Sequence, residues 1–118
     1  MAIRVEKLVK RFGEIVAVNE LSFGVRRGEI CALLGGNGAG KTTTISMLLG
    51  LLIPSTGEIE ILGADMLRDR YQVLSKINFS SPYVDLPKRL TSRENLIVYS
   101  RLYGIRNPKE RVAGLAKE

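Results

Sequence analysis

Residues 35 to 42 read Gly35-Gly36-Asn37-Gly38-Ala39-Gly40-Lys41-Thr42, which matches the phosphate-binding pattern G-x-x-x-x-G-K-[ST]. An apolar run, Ile30-Cys31-Ala32-Leu33-Leu34, precedes the pattern, and a helix-like run from Thr43 to Leu52 follows it. This is the strand–loop–helix context that the motif requires. Because four fixed residues must coincide in that context, a chance match to the pattern is improbable. We therefore expect a loop that binds the phosphates of a nucleoside triphosphate.

The chemistry of the loop follows from its residue types. Glycines let the backbone adopt positive φ and bring N–H groups close to an anion. Successive N–H groups and the start of the following helix then form a concave, positive cradle. Lys41 adds a full charge for the β and γ phosphates, and the Thr42 hydroxyl is placed to ligate Mg²⁺. The predicted nucleotide-binding residues of the loop are Gly35, Gly36, Asn37, Gly38, Ala39, Gly40, Lys41, Thr42 and Thr43.

The composition is that of one globular domain or part of one. The chain has 118 residues, of which 45% are hydrophobic and 25% charged. Its longest apolar stretch, Met47 to Ile53, is far shorter than the roughly 20 residues of a membrane span. The first residues lack the apolar core of a signal peptide. The single cysteine, Cys31, is expected inside a buried strand in a reducing compartment, so the sequence indicates a cytoplasmic location.

The charge pattern argues against nucleic-acid binding. The net charge is +6, but the basic residues are scattered and form no tract of five or more. Aromatic residues do not alternate with them as a base-stacking platform would require. Ordinary solvated faces account for most of this charge, with a basic surface beside a membrane as the alternative.

The first third of the chain is predicted to be rich in β-structure, and the remainder to be mainly helical. Predicted strands are Ala2–Arg11, Ile15–Val18, Leu21–Val25, Glu29–Leu34, Glu58–Leu62 and Lys76–Ser80. Predicted helices are Lys41–Leu52, Arg68–Ser75, a segment from the capping box at Thr91 to about Tyr103, and a segment after Asn107. Gly104 is expected to end the third helix, and Asn107 with Pro108 to begin the fourth.

Four segments make the chain resemble the nucleotide-binding domain of ATP-binding-cassette (ABC) transporters. The segment from Lys10 to Val18 is similar to the family's A-loop and the strand after it. The segment from Leu21 to Ile30 is similar to the lead into the phosphate strand. Gly36 to Thr43 is similar to the Walker A motif, although the family usually has proline at Gly36. Leu52 to Ile59 with Leu62-Gly63 matches the turn and strand that follow.

The resemblance implies an α/β fold, with a P-loop NTPase core of the ABC ATPase type and an N-terminal antiparallel β subdomain. Residues 1–118 are then expected to be the N-terminal portion of one nucleotide-binding domain, truncated within its helical insertion. Its parts would be 1–30 (mainly β subdomain), 31–64 (P-loop region) and 65–118 (start of the α-rich segment). The cofactors implied are ATP and Mg²⁺.

The resemblance also implies roles for two residues outside the loop. Phe12 stands where the family has its adenine-stacking aromatic, and the alternative is a plain core aromatic. Aromatic stacking contributes about 0.5–1.5 kcal/mol, whereas each charge-assisted phosphate bond contributes about 1.5–3 kcal/mol. Stacking should therefore tune base preference while the loop provides affinity. Val18 is expected to pack against the ribose or base edge, with a core position as the alternative.

One departure from the family concerns the glutamine that contacts the Mg²⁺ shell. An ungapped match of Thr91 to Leu96 with the family's Leu-Thr-x-x-Glu-Asn-Leu puts Pro82 at the glutamine position. Proline offers neither a side-chain carbonyl nor a backbone N–H. Ser80 and Ser81 are candidates to substitute with a hydroxyl. The sequence of residues 78–87 is similar to the corresponding sequence in one branch of ABC exporters, and this similarity favours export over uptake.

The second departure is that the family's signature motif, Walker B residues, catalytic glutamate and switch histidine are not found. The chain contains no histidine, and no residue in it is expected to be catalytic. The function implied for the parent protein is ATP binding and hydrolysis that powers transport, the implied partners being a membrane-spanning subunit and a second nucleotide-binding domain. The implied location is the cytoplasmic face of the membrane. Alternatives are a soluble ABC-type ATPase acting on nucleic acid or ribosomes, a nucleotide-binding module without hydrolysis, and a truncated non-functional product.

Overall fold

The computed structural model describes residues 1–83 and 85–117. It contains two compact units, the first from Met1 to Ile77 and the second beginning at Asn78. The first unit holds strands β1 (Ile3–Phe12), β2 (Ile15–Val25), β3 (Thr56–Ile61) and β4 (Ala64–Asp65), with helices α1 (Lys41–Leu48) and α2 (Arg70–Leu74). The second unit holds helices α3 (Ser92–Leu102) and α4 (Pro108–Leu115).

The four strands of the first unit form one antiparallel sheet in the order β2-β1-β3-β4. This confirms the predicted antiparallel β-structure of the N-terminal third. In the centre of the sheet, Val5 pairs with Phe23 of β2 and Ile59 of β3. β2 is one continuous strand where the sequence predicted two, because Glu20 takes up a left-handed φ of 47° at an irregularity of the ladder.

A second irregularity explains the imperfect alternation of β1. Lys7 has a φ of 45°, and the pairing register shifts between Val5 and Leu8. The extra residue of such a bulge moves the following side chains by one position relative to the two faces of the sheet. As a result Val5, Leu8 and Val9 are all buried although their spacing is irregular.

One face of the sheet, α1 and the segment around α2 enclose the hydrophobic core of the first unit. The core residues are Val5, Leu8, Val18, Met47, Leu48, Ile59, Ile61, Met66 and Val73. Met47 and Leu48 lie in the last turn of α1, so burial of that turn anchors the helix beside the sheet. The start of α1, where the phosphate-binding pattern lies, is thereby held in a fixed place.

The prediction of a strand at Glu29–Leu34 is wrong, and the prediction that Cys31 is buried is wrong as well. The segment has no regular secondary structure; Ile30 is fully exposed, Leu34 is 89% exposed, and Cys31 is exposed. A strand that is apolar on both faces needs hydrogen-bonded neighbours in its sheet. Within residues 1–83 and 85–117 no strand pairs with this segment.

Three further predicted elements differ from the structure: two helices have other ends than predicted, and one predicted strand is absent from the described residues. α1 stops at Leu48, four residues early, because Gly50 adopts a left-handed φ of 66°. The N–H groups of Gly50 and Leu51 then donate to the carbonyls of Met47 and Ser46, which closes a Schellman motif. α2 is shorter at both ends than predicted, and Lys76–Ser80 is not a strand.

The second unit confirms the predicted capping of α3. The Glu94 N–H donates to Thr91 Oγ1 at 3.2 Å, and the Thr91 N–H donates to Glu94 Oε2 at 2.7 Å. Gly104 ends the helix with a φ of 66°, as predicted. Asn107 and Pro108 begin α4 as predicted, but Asn107 has a φ of 53° and its side chain makes no capping hydrogen bond. Over the described residues no helix reaches the length and apolarity that crossing a bilayer demands.

Candidate phosphate-binding site

Two glycines give the loop before α1 its shape. Gly38 and Gly40 both have a φ of 81°, a conformation that L side chains rarely adopt. The Ala39 N–H donates to the Gly36 carbonyl at 3.2 Å and closes a tight turn. A Cβ atom on Gly40 would lie 2.3 Å from the Ala17 carbonyl oxygen of β2. The loop can approach β2 this closely only with glycine at position 40.

The start of α1 is uncapped and free of negative charge. Gly40 occupies the N-cap and provides no side-chain bond, and the first turn contains no acidic residue. The Thr44 N–H and hydroxyl both donate to the Gly40 carbonyl, at 2.8 and 2.9 Å. The first N–H groups of a helix lack an intrahelical acceptor and carry the positive end of its dipole. This helix start therefore suits an anionic ligand.

The ammonium group of Lys41 is folded back over the loop. Its Nζ donates to the Gly36 carbonyl at 2.6 Å and also to the Gly35 carbonyl. These contacts hold a full positive charge beside the loop. A phosphate oxygen accepts the same kind of bond and carries a formal charge, so it can replace the carbonyls as the partner of Lys41.

A cavity of about 220 Å³ lies between β2 and the loop. Its described lining contains no aspartate or glutamate, and its one charged residue is Lys41. The lining residues are Ala17, Val18, Asn19, Leu21, Leu33, Leu34, Ala39, Lys41 and Thr44. A negatively charged group here would meet no like charge from these side chains, which agrees with a phosphate site and offers no general base.

The structure is compatible with the predicted Mg²⁺ role of Thr42. Thr42 is exposed in the first turn of α1, so its hydroxyl is accessible to a metal ion. No group of three or more His, Cys, Asp or Glu side chains in the described part of the chain could hold a metal by itself. A magnesium ion at Thr42 would have phosphate oxygens and water among its other ligands.

Phe12 and Val18, the two predicted nucleotide contacts outside the loop, have different surroundings. Phe12, at the end of β1, is 49% exposed, and the Lys10 ammonium lies 5.1 Å from its ring centroid. Val18 is only 6% exposed and belongs to the core. Its Cγ2 would lie 3.1 Å from a Cβ on Gly40, so Val18 packs against the loop from the side of the core. The core position was the alternative that the sequence left open.

The residues near the predicted glutamine position belong to the second unit. Pro82 is exposed, and Ser81 Oγ accepts a hydrogen bond from the Tyr83 N–H at 3.2 Å. That bond uses one acceptor site of the hydroxyl and leaves its proton free to be donated.

Sequence reasoning missed two side chains at the site. Thr44 fixes the N-cap carbonyl through its buried hydroxyl, and its position four residues after Gly40 was the available signal. Lys10 contacts the ring of Phe12. Residues two apart on a strand lie on the same face, so the spacing of Lys10 and Phe12 could have indicated this contact.

Comparison with known proteins points to one family. The family model described as ABC transporter matches residues 18–118. The bacitracin transport ATP-binding protein BcrA of Bacillus licheniformis is 40% identical over 103 residues, which are 87% of this chain and 34% of that protein. The Nod factor export ATP-binding protein I of Burkholderia orbicola is 43% identical over 96 residues, 81% of this chain and 32% of that protein.

A solved structure of the ATP-binding subunit of an ABC transporter shares the fold. It superimposes with a TM-score of 0.80 at 30% identity, over 91% of this chain and 45% of that one. The chain thus spans less than half of this structure and about a third of the two curated relatives.

Proposed function

The chain belongs to the ABC transporter family, and on that premise we propose that it forms the phosphate-binding part of an ATP-binding subunit that powers export across a membrane. The observation that carries the proposal is the uncapped start of α1 behind a glycine loop, with the Lys41 ammonium held over it. This arrangement offers positive charge and N–H groups to a triphosphate, and the described lining of the adjoining cavity contains no carboxylate.

The loop residues have separate tasks in the proposed site. Backbone N–H groups of Gly38, Gly40, Lys41 and Thr42 bind phosphate oxygens, and the left-handed glycines let the backbone approach the anion closely. Lys41 exchanges its carbonyl partners for the β and γ phosphates. Thr42 holds Mg²⁺, which when bound neutralises charge on the phosphates. Phe12 offers an exposed ring to the adenine, and Val18 keeps Gly40 in place from the core side.

Hydrolysis requires a group that positions or activates water. The described lining of the cavity beside the loop contains no carboxylate that could do so. We therefore propose that these residues bind and orient ATP, and that water activation comes from groups that do not line this cavity. A second nucleotide-binding domain is the partner proposed to close the other face of the nucleotide.

Export is the proposed direction of transport. Two relatives at about 40% identity are named for transport of bacitracin and for export of Nod factor. The partner proposed on this basis is a membrane-spanning subunit, with this chain on the cytoplasmic face of the membrane. These relatives lend no support to the alternative of a soluble ATPase on nucleic acid or ribosomes.

The first prediction tests ATP binding through Lys41. Replacing Lys41 by methionine removes the charge and keeps the length of the side chain, so affinity for ATP with Mg²⁺ should fall by about 10- to 100-fold. Isothermal titration calorimetry of the full chain measures this. The matched control is Lys88→Met, which removes an exposed lysine paired with Asp85 in the second unit. Equal affinity of the Lys41 variant and the wild type would refute the assignment.

The transport assignment has its own test. The protein to which this chain belongs is purified with its partners from detergent-solubilised membranes, with and without ATP. Recovery of a multi-span membrane protein in a fixed ratio supports the transporter subunit. Recovery with ribosomes or nucleic acid and without a membrane protein would favour the soluble alternative.

A further inference from the structure

The end of β1 is joined to the turn after α1 by three hydrogen bonds. Lys10 Nζ donates to the Ile53 carbonyl at 2.7 Å. The Ser55 N–H donates to the Val9 carbonyl at 2.8 Å, and the Arg11 N–H donates to Ser55 Oγ at 3.0 Å. Two of the three bonds involve Ser55 and are independent of the Lys10 side chain. The strand and the turn therefore stay connected if Lys10 is changed.

The Lys10 ammonium has a second partner, the ring of Phe12. The distance from Nζ to the ring centroid is 5.1 Å, within the range of a cation–π interaction. Its bond to Ile53 fixes the ammonium from the other side. A charge held in place against one face of a ring restricts the rotation of that ring, and Phe12 remains 49% exposed.

The geometry points to Lys10 as a positioning residue for the adenine platform at Phe12, an inference that rests on the proposed ATP-binding function. Lys10 covers one face of the half-exposed ring and directs the other face toward a stacking base. Its backbone pairs with Val18, whose side chain borders Gly40 of the phosphate loop. The same stretch of sheet therefore holds the ring platform and supports the loop. Lys10 acts through Phe12 and has no role at the phosphates.

The test compares two ligands, ATP and inorganic triphosphate, because only ATP carries a base. In the full chain, Lys10→Met should weaken ATP binding by about two- to fivefold, the range expected for an exposed cation–π contact. Triphosphate affinity should change by less than about twofold, because the loop is intact. Lys10→Arg keeps the cation and should retain the wild-type preference for ATP. The triphosphate measurement also reports whether each variant is folded at the loop.

A double-mutant cycle separates positioning from a direct charge effect. If Lys10 acts through the ring, Lys10→Met should cause no further loss of ATP affinity in a Phe12→Ala background. Arg11→Met is the matched control, since it removes a positive charge from an exposed neighbour one residue away. This control should leave the ratio of ATP to triphosphate affinity unchanged.

Each contrary outcome identifies which proposal fails. Three outcomes would overturn the role of Lys10 and nothing else. In the first, Lys10→Met weakens the affinity for ATP and for triphosphate equally; in the second, the losses of ATP affinity add in the double mutant. In the third, Lys10→Met leaves ATP affinity unchanged although Phe12→Ala clearly lowers it. No ATP-specific loss for Phe12→Ala would overturn the adenine platform and with it the role of Lys10, while ATP binding by the loop would stand. Failure of the wild type to bind either ligand would overturn the proposed function itself.

Discussion

At the scale of single residues, the glycines of the phosphate loop differ in what the structure requires of them. Gly40 needs both a left-handed φ and close approach to β2, whereas at Gly36 a Cβ would meet open space and no positive φ is recorded. The sequence motif requires glycine at position 40 but allows any residue at position 36, and these two environments explain the difference. The family's usual proline at position 36 agrees with that freedom.

The second prediction uses this difference. Gly40→Ala should destabilise the first unit by at least about 2 kcal/mol, because a left-handed alanine costs about 1–2 kcal/mol and its Cβ also clashes with the Ala17 carbonyl. Urea unfolding measures the loss. Gly36→Ala is the matched control and should stay within about 0.5 kcal/mol of the wild type. Similar losses for both variants would mean that the close contact with β2 does not constrain the loop.

At the scale of elements, the ends of α3 are determined by local sequence. Thr91 and Glu94 form a reciprocal cap at the start. At the far end, the Gly104 N–H donates to the Arg101 carbonyl at 3.1 Å and the Ile105 N–H to the Ser100 carbonyl at 2.9 Å. The groups that make these bonds are at most five residues apart in sequence. This is why the sequence predicted both ends of α3 correctly.

The third prediction concerns the pH dependence of this cap. A hydrogen bond from the Thr91 N–H, with one from its hydroxyl, lowers the pKa of Glu94. The ionised carboxylate therefore stabilises α3 above the unfolded-state pKa of about 4.3, and this contribution is lost as the pH falls through the lower folded-state pKa. NMR shifts of the Glu94 and Asn95 amides during acid titration of the full chain should record fraying of the first turn.

The control for this titration is Glu94→Gln. Glutamine can make the same capping bonds through its carbonyl oxygen but does not titrate, so the first turn should become insensitive to acid. Glu110→Gln removes the same charge at the start of α4, where Asn107 makes no capping bond, and should leave the response of α3 unchanged. Acid fraying that persists in Glu94→Gln would show that another group controls this end.

At the scale of the whole molecule, the apolar run before the loop is an exposed part of the first unit that has no regular secondary structure. Ile30 and Leu34 lie outside the core, in an irregular segment that no described strand pairs with. An exposed apolar segment with free backbone donors and acceptors is a template for pairing with another chain. The structure thus gives a physical basis for self-association of the isolated chain.

The fourth prediction follows from that exposure. The 118-residue chain should elute in size-exclusion chromatography as associated species, and Ile30→Lys should shift it toward monomer. Leu51→Lys is the matched control, because Leu51 is 75% exposed but lies in the turn closed by the Schellman motif after α1. A monodisperse wild-type chain, or equal improvement by both substitutions, would contradict the role of the segment before the loop.

The sequence by itself determined the features that depend on neighbouring residues. The glycine pattern and Lys41 specified the phosphate loop, and the capping box specified the start of α3, because both act over a few residues. The alternation of residues predicted β1 and β3, whose apolar side chains face one core. Four segments, at residues 10–18, 21–30, 36–43 and 52–63, together indicated the family, because each is a local pattern of residue types.

Only the tertiary structure decided the features that depend on partners distant in the chain. It made β2 one bulged strand by pairing it along β1, and it placed Val18 behind Gly40. It set the Lys10 ammonium between Phe12 and the Ile53 carbonyl, a contact across 43 residues of sequence. It left Glu29–Leu34 without a partner among the described strands, because the ladder bonds of a strand come from other strands and not from its own side chains.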